Sequence, residues 1–195
     1  MRSMFVAVAA VLAASPLASA NLLYNGGFDI VGPSGDTTTY TGLFAGPSAA
    51  DGFEVFNNTD ATTRTNLVPS TLPGGSGSMI QVLTTGANCG LDQLFGIPGS
   101  GPASATFSVW VYVLSGTVGV GVGDGGNTSM SQFSNLHEQW LHLTGPAANS
   151  PANNFIVYSA GGPAHFYVEN AEVTPTPGTC GLALVAGGMV LRRKR

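Results

Sequence analysis

A period-two alternation runs through the middle of the chain. Between residues 105 and 115, Phe107, Val109, Val111 and Val113 fall on one side of an extended backbone. Ser108, Trp110, Tyr112 and Leu114 fall on the other. Successive side chains of a strand point to opposite faces, and a half-buried strand carries one polar face. Here both faces are apolar or aromatic, so one belongs to a core and the other is covered by a second layer or lines a groove. The run 139–145 repeats the period, with Trp140 and His142 on one face and Leu141 and Leu143 opposite. Short segments of the same texture, rich in β-branched residues, predict strands over 21–24, 52–57, 78–84, 91–97, 105–115, 118–123, 139–145, 154–159 and 165–174. Gly and Pro turn signals separate them, at Pro73-Gly-Gly75, Pro98-Gly99, Gly123-Asp-Gly-Gly126 and Gly161-Gly-Pro163. No stretch of this body holds a helical period. The pattern is that of an all-β, antiparallel β-sandwich.

The pattern breaks at both ends. Residues 1–20 read as a secretory signal peptide: Arg2, an apolar run from Met4 to Ala14, then Leu17-Ala-Ser-Ala20, with cleavage expected after Ala20. The other end, 175–195, has three parts in order. They are a turn-forming Pro175-Thr-Pro-Gly178, an uncharged apolar run from Thr179 to Leu191, and the cations Arg192, Arg193, Lys194 and Arg195. Such a run spans only ~20 Å as a helix, against ~30 Å of bilayer hydrocarbon. It inserts as a short transmembrane helix if its cations snorkel and stay cytoplasmic.

Removing the ends changes the charge. The chain has six basic residues; Arg2 and the four tail cations are five of them, which leaves Arg64 in the body beside all ten acids, a charge of −9. Such a body repels phosphate backbones, so a nucleic-acid partner is excluded, while cations and neutral sugars remain possible ligands. At 154 residues, 21–174 is one ordinary domain.

Other chemistry is thin. His137, His142 and His165 lack the spacing of a zinc site, and no Gly-x-Ser-x-Gly elbow is present. Gly119–Gly126 is glycine-rich, but it sits on a strand and turn and so does not cradle phosphate. Asp92 and Glu138 are the one conceivable glycosidase pair, with nothing in the sequence to set their separation. No catalytic set emerges, and a non-enzymatic role is expected. Cys89 is the body's only thiol, and Asn57 and Asn127 head Asn-x-Thr/Ser sequons.

The tail resembles the PEP-CTERM class of bacterial sorting signals, with Pro175, Pro177 and Gly178 where that class usually reads Pro-Glu-Pro and Thr176 in place of the acid. The resemblance implies an exosortase-type processing enzyme as partner, in a bacterium that makes exopolysaccharide. It also implies export to the cell envelope or beyond, with transient membrane anchoring by the C-terminus. Cys180 leaves a second processing route open.

The body carries a second resemblance. It opens on Asn21-Leu-Leu-Tyr-Asn-Gly-Gly-Phe-Asp29 and continues through Asp92-Gln-Leu-Phe-Gly-Ile-Pro-Gly99, Ala105-Thr-Phe-Ser-Val-Trp-Val-Tyr112 and Gln139-Trp-Leu-His-Leu-Thr144. It closes on Phe166-Tyr-Val-Glu-Asn-Ala171. That order is similar to the jelly-roll, galactose-binding-like carbohydrate-binding modules attached to xylanases and glucanases. The resemblance implies a jelly roll with a structural calcium between first and last strands. Asp29 matches the family's acid after Phe, Glu169 stands where the family usually has Asp, and carbonyls around Gly75–Ser78 are available as further ligands. It also implies an extracellular polysaccharide as partner, bound by ring stacking with polar groups alongside. Trp110, Tyr112, Tyr158 and Gln132 are the candidates, although a mid-strand Trp is more often core. Three roles remain: a surface-sorted glycan-binding module, a structural or adhesion matrix protein without a sugar pocket, and, far behind, a glycan-cleaving enzyme.

Overall fold

A computed structural model describes residues 21–95, 105–124, 127–147 and 153–175. The signal peptide and the tail from residue 176 onward lie outside the described residues. Ten strands follow one another: β1 (Thr37–Pro47), β2 (Glu54–Pro69), β3 (Ser78–Thr84), β4 (Cys89–Leu94), β5 (Ala105–Ser115), β6 (Val118–Asp124), β7 (Asn127–Ser134), β8 (Trp140–Ala147), β9 (Asn154–Ser159) and β10 (Ala164–Pro175). All pairings are antiparallel.

The hydrogen-bonded order is β7-β6-β9-β4-β2-β3-β10-β5-β8, with β1 alongside β2. The long strand β2 joins the two layers. Glu54–Asn57 pairs with β4, and Thr63–Pro69 pairs with β3. One layer is therefore β7-β6-β9-β4 with the start of β2, and the other is the end of β2 with β3-β10-β5-β8. β1 follows β2 across the corner and absorbs the bend in a bulge between Gly42 and Phe44.

One continuous core lies between the layers. The first layer contributes Val55, Leu91, Val118, Val120, Val122, Phe155 and Val157. The second contributes Ile80, Val82, Phe107, Val109, Val111, Val113, Phe166 and Val168. One face of β5 is core, as the alternation required, and it is the Phe-Val-Val-Val side; Ser108, Trp110, Tyr112 and Leu114, expected under a second layer or in a groove, are half-buried on the outside.

The segment expected as a first strand, 21–24, is instead a bonded turn beside β10. The Leu22 N–H donates to the Val173 carbonyl at 2.8 Å, and the Val173 N–H donates to Asn21 Oδ1 at 2.9 Å. An amide side chain replaces a ladder bond there, and Asn25, with φ of 54°, turns the chain toward the buried Phe28. β1, the second half of β2 and β7 were not legible as strands. β1 has Thr at four of its eleven positions and buries little, and β7 is a polar edge strand. The expected turn Pro175-Thr-Pro-Gly178 begins inside β10, where Pro175 pairs with Ala105.

Candidate functional site

The outer face of the first layer is built by an alternation of Val and Gly. In β6, Val118, Val120 and Val122 point into the core, so Gly119 and Gly121 leave the outside of the strand bare. Two rings from neighbouring strands use the vacated space. A Cβ on Gly119 would lie 2.6 Å from the Tyr158 ring and 3.0 Å from the Phe133 ring. Those rings meet edge-on, with centroids 6.3 Å apart and planes at 82°. Gly90 on β4 is similarly tight, with no room for a Cβ against the Val157 carbonyl and the Tyr158 backbone.

Beside these rings lies a cleft of about 310 Å3 whose walls include Phe44, Phe56, Asn58, Asn88, Asp92 and Tyr158. The size falls at the lower end of ligand-pocket volumes, about 300–1,000 Å3. Among the described residues Phe44 is the most exposed large apolar side chain at 75%, and it sits on the β1 bulge with φ of 68°. A bulky residue at positive φ needs its surroundings to hold it there. The buried Asn57 amide does so. Its Nδ2 donates to the Gly42 carbonyl at 2.9 Å and to the Ala61 carbonyl at 3.0 Å, and its Oδ1 accepts from the Thr63 hydroxyl at 2.6 Å. The Tyr40 hydroxyl donates to the Leu43 carbonyl at 2.9 Å from the other side. Asn57 thus spends its side chain on the fold, buried and away from any glycosyl acceptor role.

Asp92 is half-buried on the cleft wall and sits opposite Glu54 in the β2–β4 ladder. Burial, and then the negative charge of Glu54, push its carboxyl up from 3.8 to about 6. The fold therefore favours the protonated form. Its stabilising contribution is fully present below pH 3.8 and is lost as pH rises through about 6. Asp92→Asn should raise the unfolding free energy at pH 7.5 and leave it unchanged at pH 3.5. The full shift corresponds to about 3 kcal/mol, reduced by solvent screening at a half-exposed site to about 1–2 kcal/mol. Urea unfolding at the two pH values measures it.

The four candidate ligand residues do not converge. Tyr158 lines the cleft. Trp110 and Tyr112 lie on the outside of the opposite layer. Trp110 stacks on His142 at 4.6 Å and 17°, and Tyr112 sits between Trp140 at 5.5 Å and Tyr167 at 6.2 Å. Gln81 ties that face together, donating to the Tyr167 hydroxyl at 3.1 Å and meeting His165 Nε2 at 2.8 Å. Burial holds His165 below the usual imidazole range. Gln132 is exposed on β7, with its stem beside Gly145 of β8 rather than beside Phe133. Phe44, Phe56, Asn58 and Asn88 were missed in the sequence. Phe56 is the one that alternation along 52–57 could have singled out; Phe44 sits on the bulge, Asn58 in the stretch of β2 that the bulge leaves unpaired and Asn88 in the bend before β4, where no period applies. Asp92 and Glu138 also stay apart. Glu138 is exposed in the turn before β8, and its N–H donates to Val113 of the second layer at 2.9 Å.

Asp29 and Glu169 both reach the loop between β2 and β3. The Ser78 N–H donates to Asp29 Oδ1 at 3.0 Å, and Gly77 has no room for a Cβ against that oxygen. Glu169 is fully buried. Its Oε2 accepts from the Ser70 hydroxyl at 2.6 Å, and a Cβ on Gly75 would lie 2.5 Å from its Oε1. Among the described residues Oε1 has no hydrogen-bond partner, an unusual state for a buried carboxylate oxygen. Two carboxylates against closely approaching glycine backbone are the donor chemistry of a hard cation. Among the described residues no group of three or more His, Cys, Asp or Glu side chains converges, so backbone carbonyls would have to complete such a set.

No protein-family model matches the chain, and no curated protein is detectably similar in sequence. Solved structures share the fold. The family 11 carbohydrate-binding module of a cellulosomal cellulase from Clostridium thermocellum superposes with a TM-score of 0.50 at 13% identity, covering 83% of this chain and 97% of that one. An exo-β-agarase matches with a TM-score of 0.50 at 10% identity; 71% of this chain spans a quarter (25%) of that enzyme. At these identities the likeness is one of fold, an all-β sandwich of the kind found in carbohydrate-binding modules.

Proposed function

We propose that this protein is a non-catalytic, exported component of a bacterial envelope or exopolysaccharide matrix that binds glycan in the cleft of its first layer. The observation that carries the reading is the cleft itself. Its ring walls, Phe44, Phe56 and Tyr158, are edged by the polar groups of Asn58, Asn88 and Asp92. A sugar presents a CH face to a ring and hydroxyls to amides and carboxylates, which is the combination these walls offer. The fold shared with the Clostridium module supports it. A glycan array probed with the purified protein, with and without calcium, should give binding to at least one polysaccharide class; silence in both conditions refutes the reading. The alternative role, a matrix protein that packs against neighbours without a sugar pocket, draws on the ring row Trp140–Tyr112–Tyr167 of the other layer.

Asp29 and Glu169 are the residues we assign to a structural calcium ion. Bound there, the ion would supply the positive charge that the buried Glu169 carboxylate lacks. Saturating calcium should then raise the melting midpoint by about 5–10 °C over the chelated protein, and Glu169→Gln should abolish the response. An unchanged midpoint removes the ion from the account.

The tail gives the destination. Export by the signal peptide, transient anchoring by 179–191 and recognition of Pro175, Pro177 and Gly178 by an exosortase-type enzyme together place the domain outside the cytoplasm. Neutralising Arg192, Arg193, Lys194 and Arg195 should impair sorting, read by cell fractionation, without changing the melting of the domain. Unchanged localisation contradicts this role for the tail.

A further inference from the structure

We infer that the glycan held by this cleft is cationic: an amino sugar polymer with free ammonium groups, bound through the paired carboxylates of Asp92 and Glu54 beside the cleft rings. The inference rests on the glycan reading above and names the substrate class of that same site. Glu54 and Asp92 are direct cross-strand partners on the outer face. Like charges placed opposite one another in a ladder are destabilising. Among the described residues nothing relieves this pair. Among the described residues no hydrogen bond or ion pair reaches the Asp92 carboxylate. The only cation of the body, Arg64, is paired with Leu83 on β3 in the second layer, where its Nε donates to Asn66 Oδ1 at 3.3 Å.

A neutral sugar seated in the cleft would deepen the burial of Asp92 and leave the charge uncompensated. Hydroxyl donors repay only part of that cost, because an ionised group in a low-dielectric site asks for an opposite charge. An ammonium group supplies it, and the rings of Tyr158, Phe56 and Phe44 that line the same cleft are partners for cation–π attraction. An acetamide at the same sugar position offers neither. The −9 charge of the body draws a polycation toward every face, so the test must separate attraction in general from recognition at this pair.

The test is calorimetric titration of the purified full chain at pH 6.5 with two oligosaccharides of equal length, a β-linked glucosamine oligomer and its fully N-acetylated counterpart. The expected result is at least ten-fold tighter binding of the free-amine oligomer. That preference should fall to about two-fold in Asp92→Asn and persist in Asp36→Asn, which removes an exposed acid just before β1. Asp92→Asn relieves like-charge strain, so misfolding does not confound it, and its melting curve verifies this. Equal or tighter binding of the acetylated oligomer overturns the inference, as does an equal loss in Asp36→Asn. If neither oligomer binds while neutral glycans do, the charge assignment fails and the glycan reading stands. If no glycan binds, both fall.

Discussion

Asn57→Leu is expected to lower the unfolding free energy by about 3–5 kcal/mol and to weaken glycan binding at the same time. Asn57 is fully buried, and its amide meets the Gly42 and Ala61 carbonyls and the Thr63 hydroxyl. Leucine keeps the branched shape, though it is bulkier, and it leaves the two carbonyls and one hydroxyl without their partner. Each buried group left unsatisfied costs about 1–3 kcal/mol. The binding effect has a separate origin. The Gly42 carbonyl is the fixed point of the bulge that carries Phe44 at φ of 68°. Once that anchor goes, Phe44 relaxes toward negative φ and leaves the cleft wall. Denaturant unfolding measures the first effect. Titration at a temperature where the variant remains folded measures the second. A destabilised variant with unchanged affinity would mean that the bulge serves the fold alone.

The second large effect is on affinity. Tyr158→Ala should weaken glycan binding by about 2 kcal/mol or more, on the order of 30-fold, as for a central aromatic anchor at an interface. Tyr158 is half-buried on β9, braced by Phe133, and stands over the bare backbone of Gly119. A ring fixed in this way loses little entropy when a sugar stacks on it. Tyr112→Ala is the matched control. It removes a ring of similar burial from the opposite face and should leave affinity within about two-fold, with a measurable loss of stability from its contacts to Trp140 and Tyr167. The reverse pattern would transfer the site to the second layer.

Much of the fold was legible because the core strands state their period openly. Residues 78–84, 105–115 and 154–159 were delimited to the residue, since they carry β-branched or aromatic side chains between clear turn signals. β1 and β7 were not, because these edge strands are rich in polar residues and carry no apolar alternation to read. The site was legible only in fragments. Tyr158, Trp110 and Tyr112 share a chemistry, but period two along one strand does not say which of two layers the strand joins. That depends on β2, whose passage from one layer to the other is written in pairings far apart in sequence. The cleft also owes much to a residue without a side chain: Gly119 shows as simple sequence until the Tyr158 and Phe133 rings above it are placed. Asp29 and Glu169 both reach the β2–β3 loop, and that Glu169 Oε1 has no hydrogen-bond partner among the described residues is a detail that only packing reveals.

The most direct measurement of where glycan binds is a backbone and indole amide chemical-shift titration of the labelled protein with the best glycan from the array. Binding in the cleft should perturb Gly90, Asp92, Gly119, Gly121 and Tyr158 and leave the indole resonances of Trp110 and Trp140 unmoved. Perturbations confined to the indoles and the β5–β8 face, or none at saturating glycan, would contradict it.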